Sequence, residues 1–249
     1  MLFAHGFGCD QTMWRHVAPA FSDRFRVITF DLVGAGGSDP AAWDPVKYSS
    51  LEGYAEDVVE LVRDLDLHDV VLVGHSVSAM IGALAHVREP ERFERLVMVG
   101  PSPRYLDDDG YVGGFSPDAI EELLESLSSN YLGWSTAMAP VIVGNPERPD
   151  LGEELADAFC RMDPAIARVF ARATFLTDTR DVLPRISVPT LVMQCADDVI
   201  APRRVGEYVA DAIPRSTLVL MRATGHCPNL SAPEETVDVI RSYLDGAAA

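Results

Sequence analysis

The chain has 249 residues, of which 38 are acidic and 20 basic, for a formal charge of −18. That length admits one large domain or a domain with an inserted subdomain, and 48% hydrophobic against 23% charged residues excludes a disordered chain. So acidic a surface repels phosphate backbones and anionic lipid heads, which sets nucleic-acid and membrane binding aside.

The short apolar run Met1 to Ala4 opens onto His5-Gly6-Phe7-Gly8. With no basic region and no long apolar core it does not read as a signal peptide. Val27 to Phe30 reads as a buried strand, followed by the glycine-rich loop Asp31 to Ser38. That loop has no lysine after its last glycine, so it is structural and not a phosphate cradle. Leu51, Tyr54, Val58, Leu61 and Leu65 then fall on one face of a helix, with Ser49 and Glu52 at capping-box spacing before it. Val70 to Val73 and Leu96 to Val99 are further strands, with a helical pattern between them. The apolar stretch Val70 to Val87 is broken by Gly74, His75, Ser76 and Ser78, so it is not a membrane span.

From Gly113 to Leu183 the alternation stops. Consecutive helices replace it, with Ser116-Pro117 and Asp163-Pro164 each setting a capping side chain before a proline at the first helical position. Four helices inserted between strands at Leu96 and Thr190 are expected to form a lid, because loops at the carboxyl ends of strands overlie the site in such sheets. Strands return at Thr190 to Gln194 and Thr217 to Met221, and Ser231 with Glu234 repeats the capping-box spacing before a last helix. Strand–helix alternation of this kind predicts an α/β fold with a mainly parallel sheet covered by helices. The division is 1–112 and 184–249 for the core and 113–183 for the lid.

The chemistry concentrates at Gly74-His75-Ser76-Val77-Ser78, where a buried strand runs into G-x-S-x-S and then a helix. This is a nucleophile elbow: the serine sits on a strained turn that needs very small residues two before and two after it. Ser78 stands where glycine is usual. A serine hydroxyl needs a base to take its proton, and the elbow sets the chain order serine, acid, histidine. His226, in the loop after the last strand, is the base. Asp198 is the acid on its D-x-x-x-P spacing to Pro202, with the adjacent Asp197 as the alternative. The Val77 N–H at the helix start and the Phe7 N–H in the glycine-rich loop are the candidate oxyanion donors. His75 reads as structural, and His68 and His86 as surface residues on helices; His16 has no assigned role. Cys227 beside His226 is a poor nucleophile candidate, since sequence adjacency does nothing to stabilise a thiolate. Cys9, Cys160, Cys195 and Cys227 form no C-x-x-C pair, which points to a reduced, cytoplasmic protein. No H-E-x-x-H or paired-histidine set suggests a metal, and no cofactor is expected.

With the elbow, acid, base and HGFG loop in place, the chain resembles the α/β-hydrolase family. The stretches HGFGCDQTMW, GHSVSAMIG, VMVGPSPRYLDDDGYVGGF, QCADDVIAP and GHCPNLS carry a closer resemblance to the RsbQ type, bacterial energy-stress regulators of the sigma-B pathway. They are also similar to the plant karrikin and strigolactone receptors, whose small residue two after the nucleophile matches Ser78. The resemblance implies a V-shaped four-helix lid over a small apolar pocket, with Phe115, Trp134 and Phe175 as its lining aromatics. It implies a small ester or lactone as substrate, or a ligand sensor with a PAS-domain phosphatase as partner. Such proteins carry a β-hairpin and the rest of a strand before the HGFG loop, so N-terminal strands are expected to be missing here, with reduced stability.

Overall fold

The computed structural model describes residues 1–246. Six strands form one sheet in the order β2-β1-β3-β4-β5-β6, every neighbouring pair parallel. They are β1 (Leu2–Ala4), β2 (Ile28–Phe30), β3 (Val70–His75), β4 (Phe93–Val99), β5 (Thr190–Gln194) and β6 (Ser216–Leu220). The central β3 is buried at every position, as a parallel strand covered on both faces must be, while the edge strands β2 and β6 are only half-buried.

Period-two alternation splits the core. Val71, Val73, Val97 and Val99 face one way, against Trp14, Phe21 and Ile240. Val70, Leu72, Leu96 and Met98 face the other, against helices α1 (Leu51–Asp64) and α2 (Val77–Arg88). Between β4 and β5 lie α3 (Pro117–Ser129), α4 (Tyr131–Val143), α5 (Pro149–Arg161) and α6 (Pro164–Phe175). The chain ends with α7 (Arg203–Ala212), the single turn α8 (Pro228–Ser231) and α9 (Pro233–Leu244). The expected α/β-hydrolase architecture is therefore present. Among the described residues no helix is long and apolar enough to cross a membrane.

The expected caps on the inserted helices hold: Ser116 accepts from the Ala119 N–H and Asp163 from those of Ala165 and Ile166. The two capping boxes do not. α1 is preceded by Ser50, without a side-chain cap, while Ser49 closes a short turn and donates to the Val46 carbonyl at 2.7 Å. Ser231 likewise ends α8, donating to the Cys227 carbonyl, and α9 starts two residues later at Pro233, with Ala232 at its cap position. In both places the serine is occupied by the turn before the helix, and capping-box spacing alone cannot register that competition.

Chain order moves from β1 outward to β2 and then back across β1 to β3. The sheet thus has a topological switch point between β1 and β3, and ligands of open parallel sheets bind at the carboxyl ends of the strands beside such a point. The segments leaving those two strand ends are His5 to Gly8 and Ser76.

Candidate active site

Ser76 sits between β3 and α2 with φ at 56° and ψ at −125°, a conformation that side-chain-bearing residues rarely adopt. The turn is tight enough that a Cβ on Gly74 would collide with the Ser78 backbone. Ser78 does more than fit: its hydroxyl donates to the backbone carbonyl of His5. The helix that follows the serine is thereby tied to the loop that follows β1.

The Ser76 hydroxyl lies 2.7 Å from His226 Nε2, and His226 Nδ1–H donates to Asp198 Oδ2 at 2.7 Å. All three side chains are buried. Asp198 comes from the loop after β5, where its Oδ1 accepts from the Ile200 and Ala201 N–H groups at 2.9 Å each. Burial pushes its carboxyl upward. Attraction and hydrogen bonding from His226, with the two amides, outweigh burial and hold it below the usual carboxylate value. Asp197 is exposed and offers only its carbonyl, which accepts from the Gly225 N–H. Of the two adjacent aspartates, the structure brings Asp198 to the histidine.

His226 is held by its backbone from two sides. Its N–H donates to the Ile142 carbonyl near the end of α4 at 2.9 Å, and its carbonyl accepts from His75 Nε2–H at 2.8 Å. His75 is buried against this loop, and desolvation, with repulsion from His226, pulls it down to about 3. It is a neutral strut, in keeping with its structural assignment. His68 is exposed but lies in the turn after α1, not on a helix. His86 is the larger departure: it is fully buried in α2, and its Nε2 accepts from the Ser187 N–H at 3.2 Å. Its helix is apolar on nearly all sides and runs through the interior, so a surface position was not available.

Among the described residues, neither the Phe7 nor the Val77 N–H is used in another hydrogen bond. Val77 is the first residue of α2, where amides point along the helix axis toward the elbow. The loop Asp31 to Ser38 is held by its own Asp31, which accepts from the Gln11 and Gly37 N–H groups.

Above the serine is a narrow cavity of about 40 Å³. Phe7, Trp134, Phe159 and Phe175 line it, with Leu123, Met138, Ile142, Leu155 and Ile200. The aromatics pack on one another: Trp134 stacks on Phe159 with centroids 5.7 Å apart, and Phe7 meets both edge-on. Two of the three expected lining aromatics, Trp134 and Phe175, are present. Phe115 is not among the lining residues: it is half-buried, its ring packed edge-on against that of Phe175 at 6.4 Å, and Phe175 is the one of the two that lines the cavity. Tyr105, Phe159 and Thr174 line the cavity without having been singled out from sequence. Phe159 had a signal, since Leu151, Leu155 and Phe159 form the apolar stripe of α5. Cys9 and Cys227 also line it, and burial pushes both thiols up, away from nucleophilic chemistry. Among the described residues no cluster of potential metal ligands occurs.

The family model described as the alpha/beta hydrolase family matches residues 1–239. A karrikin insensitive 2 receptor of Petunia hybrida is 37% identical over 98% of this chain and 91% of its own length. The strigolactone esterase of Arabidopsis thaliana is 38% identical, with the same coverage of each chain. Among solved structures, a hydrolase from Oleispira antarctica superposes with a TM-score of 0.95 at 42% identity, over 98% of this chain and 90% of that one.

Proposed function

Because the chain belongs to the alpha/beta hydrolase family, we propose that it hydrolyses a small, largely apolar ester or lactone through an acyl-enzyme on Ser76. The observation that carries this reading is the continuous relay Ser76–His226–Asp198 at the inner end of an aromatic cavity.

The Ser76 oxygen attacks the substrate carbonyl as its proton passes to His226 Nε2. The imidazolium that forms is stabilised by Asp198, which stays ionised. Negative charge on the carbonyl oxygen is met by the Phe7 and Val77 N–H groups, which are fixed before the reaction starts. The C–O bond to the alcohol then breaks, and His226 returns its proton to the departing oxygen; in a lactone the alcohol stays tethered. Water deprotonated by His226 attacks the acyl carbon and frees Ser76. Residues 113–183 serve as the lid, keeping bulk water from the acyl-enzyme.

A second reading, a ligand sensor, is supported by the similarity to a karrikin receptor and by the bond from His226 N–H to the Ile142 carbonyl, which joins the base to a lid helix. In that role turnover is slow and the lid presents a surface to a protein, in the RsbQ-like version a PAS-domain phosphatase in a stress response. A reducing, cytoplasmic setting suits the free thiols of Cys9, Cys160, Cys195 and Cys227.

Turnover of p-nitrophenyl acetate by the wild type and its loss in Ser76→Ala would test the first reading. Wild-type turnover by Ser76→Ala would overturn it. A single turnover followed by lasting ligand occupancy would favour the sensor.

A further inference from the structure

Among the described residues, the buried hydroxyl of Thr174 has no hydrogen-bond partner, and that of Tyr105 has none but the nucleophile Ser76. Thr174 Oγ1 and the Tyr105 hydroxyl are both buried, and both residues line the cavity. Thr174 departs from its own local habit. Within a helix, a serine or threonine normally bonds back to the carbonyl four residues earlier. Ser135, Thr136 and Thr236 all do so here, to Tyr131, Leu132 and Ala232. Thr174 lies within α6, yet its hydroxyl does not take the Phe170 carbonyl. Tyr105 lines the cavity beside Ser76; burial raises the titration of its hydroxyl, and a side-chain hydrogen bond with Ser76 opposes the rise. The two groups thus sit in a wall otherwise made of aromatic and aliphatic side chains.

A hydroxyl is costly in such a wall unless something bonds to it. A plain alkyl chain cannot. An ether, hydroxyl or carbonyl oxygen can accept from either group. We infer that Thr174 is a specificity-determining residue, its hydroxyl acting with that of Tyr105 to select substrates with a second oxygen in the acyl part. The inference rests on the ester- or lactone-hydrolase reading and narrows its substrate class. Sites built to hydrogen-bond a substrate oxygen reject the analogue lacking it more strongly than apolar pockets reject a changed methylene.

The test compares p-nitrophenyl methoxyacetate with p-nitrophenyl butanoate, which differ by an oxygen in place of a methylene. Each kcat/KM is divided by that ester's spontaneous hydrolysis rate, removing the difference in intrinsic reactivity. The wild type is expected to favour the methoxyacetate by about tenfold. Thr174→Val and Tyr105→Phe each bring that ratio toward one, and Thr174→Ser, which keeps the hydroxyl, retains it. If Thr174→Val does not fold, Thr174→Ala, which removes the same hydroxyl, is read in its place. A wild-type ratio near one, or an unchanged ratio in Thr174→Val, would overturn the inference. Ser76→Ala separates the two levels: if it is inactive on both esters while the wild-type ratio is one, the hydrolase reading stands and only the selectivity fails.

Discussion

The hydroxyl of Ser78 donates to the backbone carbonyl of His5, joining the helix behind the nucleophile to the loop that carries the Phe7 amide. One of the two proposed oxyanion donors belongs to each of these segments. Serine where glycine is usual at this elbow position thus acts as a tether between the two halves of the proposed oxyanion site.

Replacing Ser78 by alanine leaves a buried carbonyl without that partner. The expected loss is about 1–2 kcal/mol in a urea titration, with a fall in kcat larger than any rise in KM, since the oxyanion donors act on the transition state. A destabilised variant with wild-type kcat would confine Ser78 to folding.

The two adjacent aspartates should separate cleanly. Asp198→Asn removes the charge that stabilises the imidazolium and alters the bond that fixes the His226 tautomer, so kcat should fall by about 10³–10⁴. Asp197→Asn changes an exposed side chain in no contact with the relay and should leave kcat near the wild-type value. Steady-state kinetics on one p-nitrophenyl ester measures both.

These two residues also show where sequence reading stopped. Ser76 and His226 were legible because a strand end and chain order each select one residue. Asp198 and Asp197 share a strand end and a loop, and spacing to Pro202 was the single guide. What separates them in three dimensions is the turn in which Asp198 accepts the Ile200 and Ala201 amides, which takes the carboxylate inward. The strands and four inserted helices followed from pattern, since apolar runs and proline-marked caps are local signals. The cavity wall did not, because it depends on which faces of four helices converge. Thr174 and Tyr105 came into view only there, and Phe115, aromatic and nearby, was left behind Phe175.

The loop carrying the base rests on α4 through close backbone contact. Gly225 has φ at +78°, and a Cβ there would collide with the Val143 carbonyl. Gly225→Ala should therefore cost at least about 2 kcal/mol and displace His226, lowering kcat along with the urea midpoint. An active variant of wild-type stability would show that the loop and helix can part without consequence.

Acid should weaken the fold well before carboxylates titrate. His75 is held near 3 in the folded protein against 6.5 in a free chain. Between those values the unfolded chain binds the proton and the folded one does not, so stability rises with pH across that window. It is fully present above about pH 6.5 and drains as pH falls, by about 2 kcal/mol at pH 5 from His75 alone. Burial lowers His5 and His86 in the same direction. Asp198, lowered from 3.8, adds its own loss only below that value. Urea titrations at pH 7 and pH 5 should show the drop in wild type and a smaller one in His75→Gln. Equal drops in the two proteins would remove His75 as the cause.

The account depends most on Ser76 carrying the acyl group. Wild-type protein turning over p-nitrophenyl acetate is quenched in acid and its peptides are mapped by mass spectrometry. An acetyl group on the peptide containing Ser76, absent from Ser76→Ala treated in the same way, is the expected result. Steady turnover with Ser76 unmodified and the acetyl group on His226 or Cys227 would contradict it.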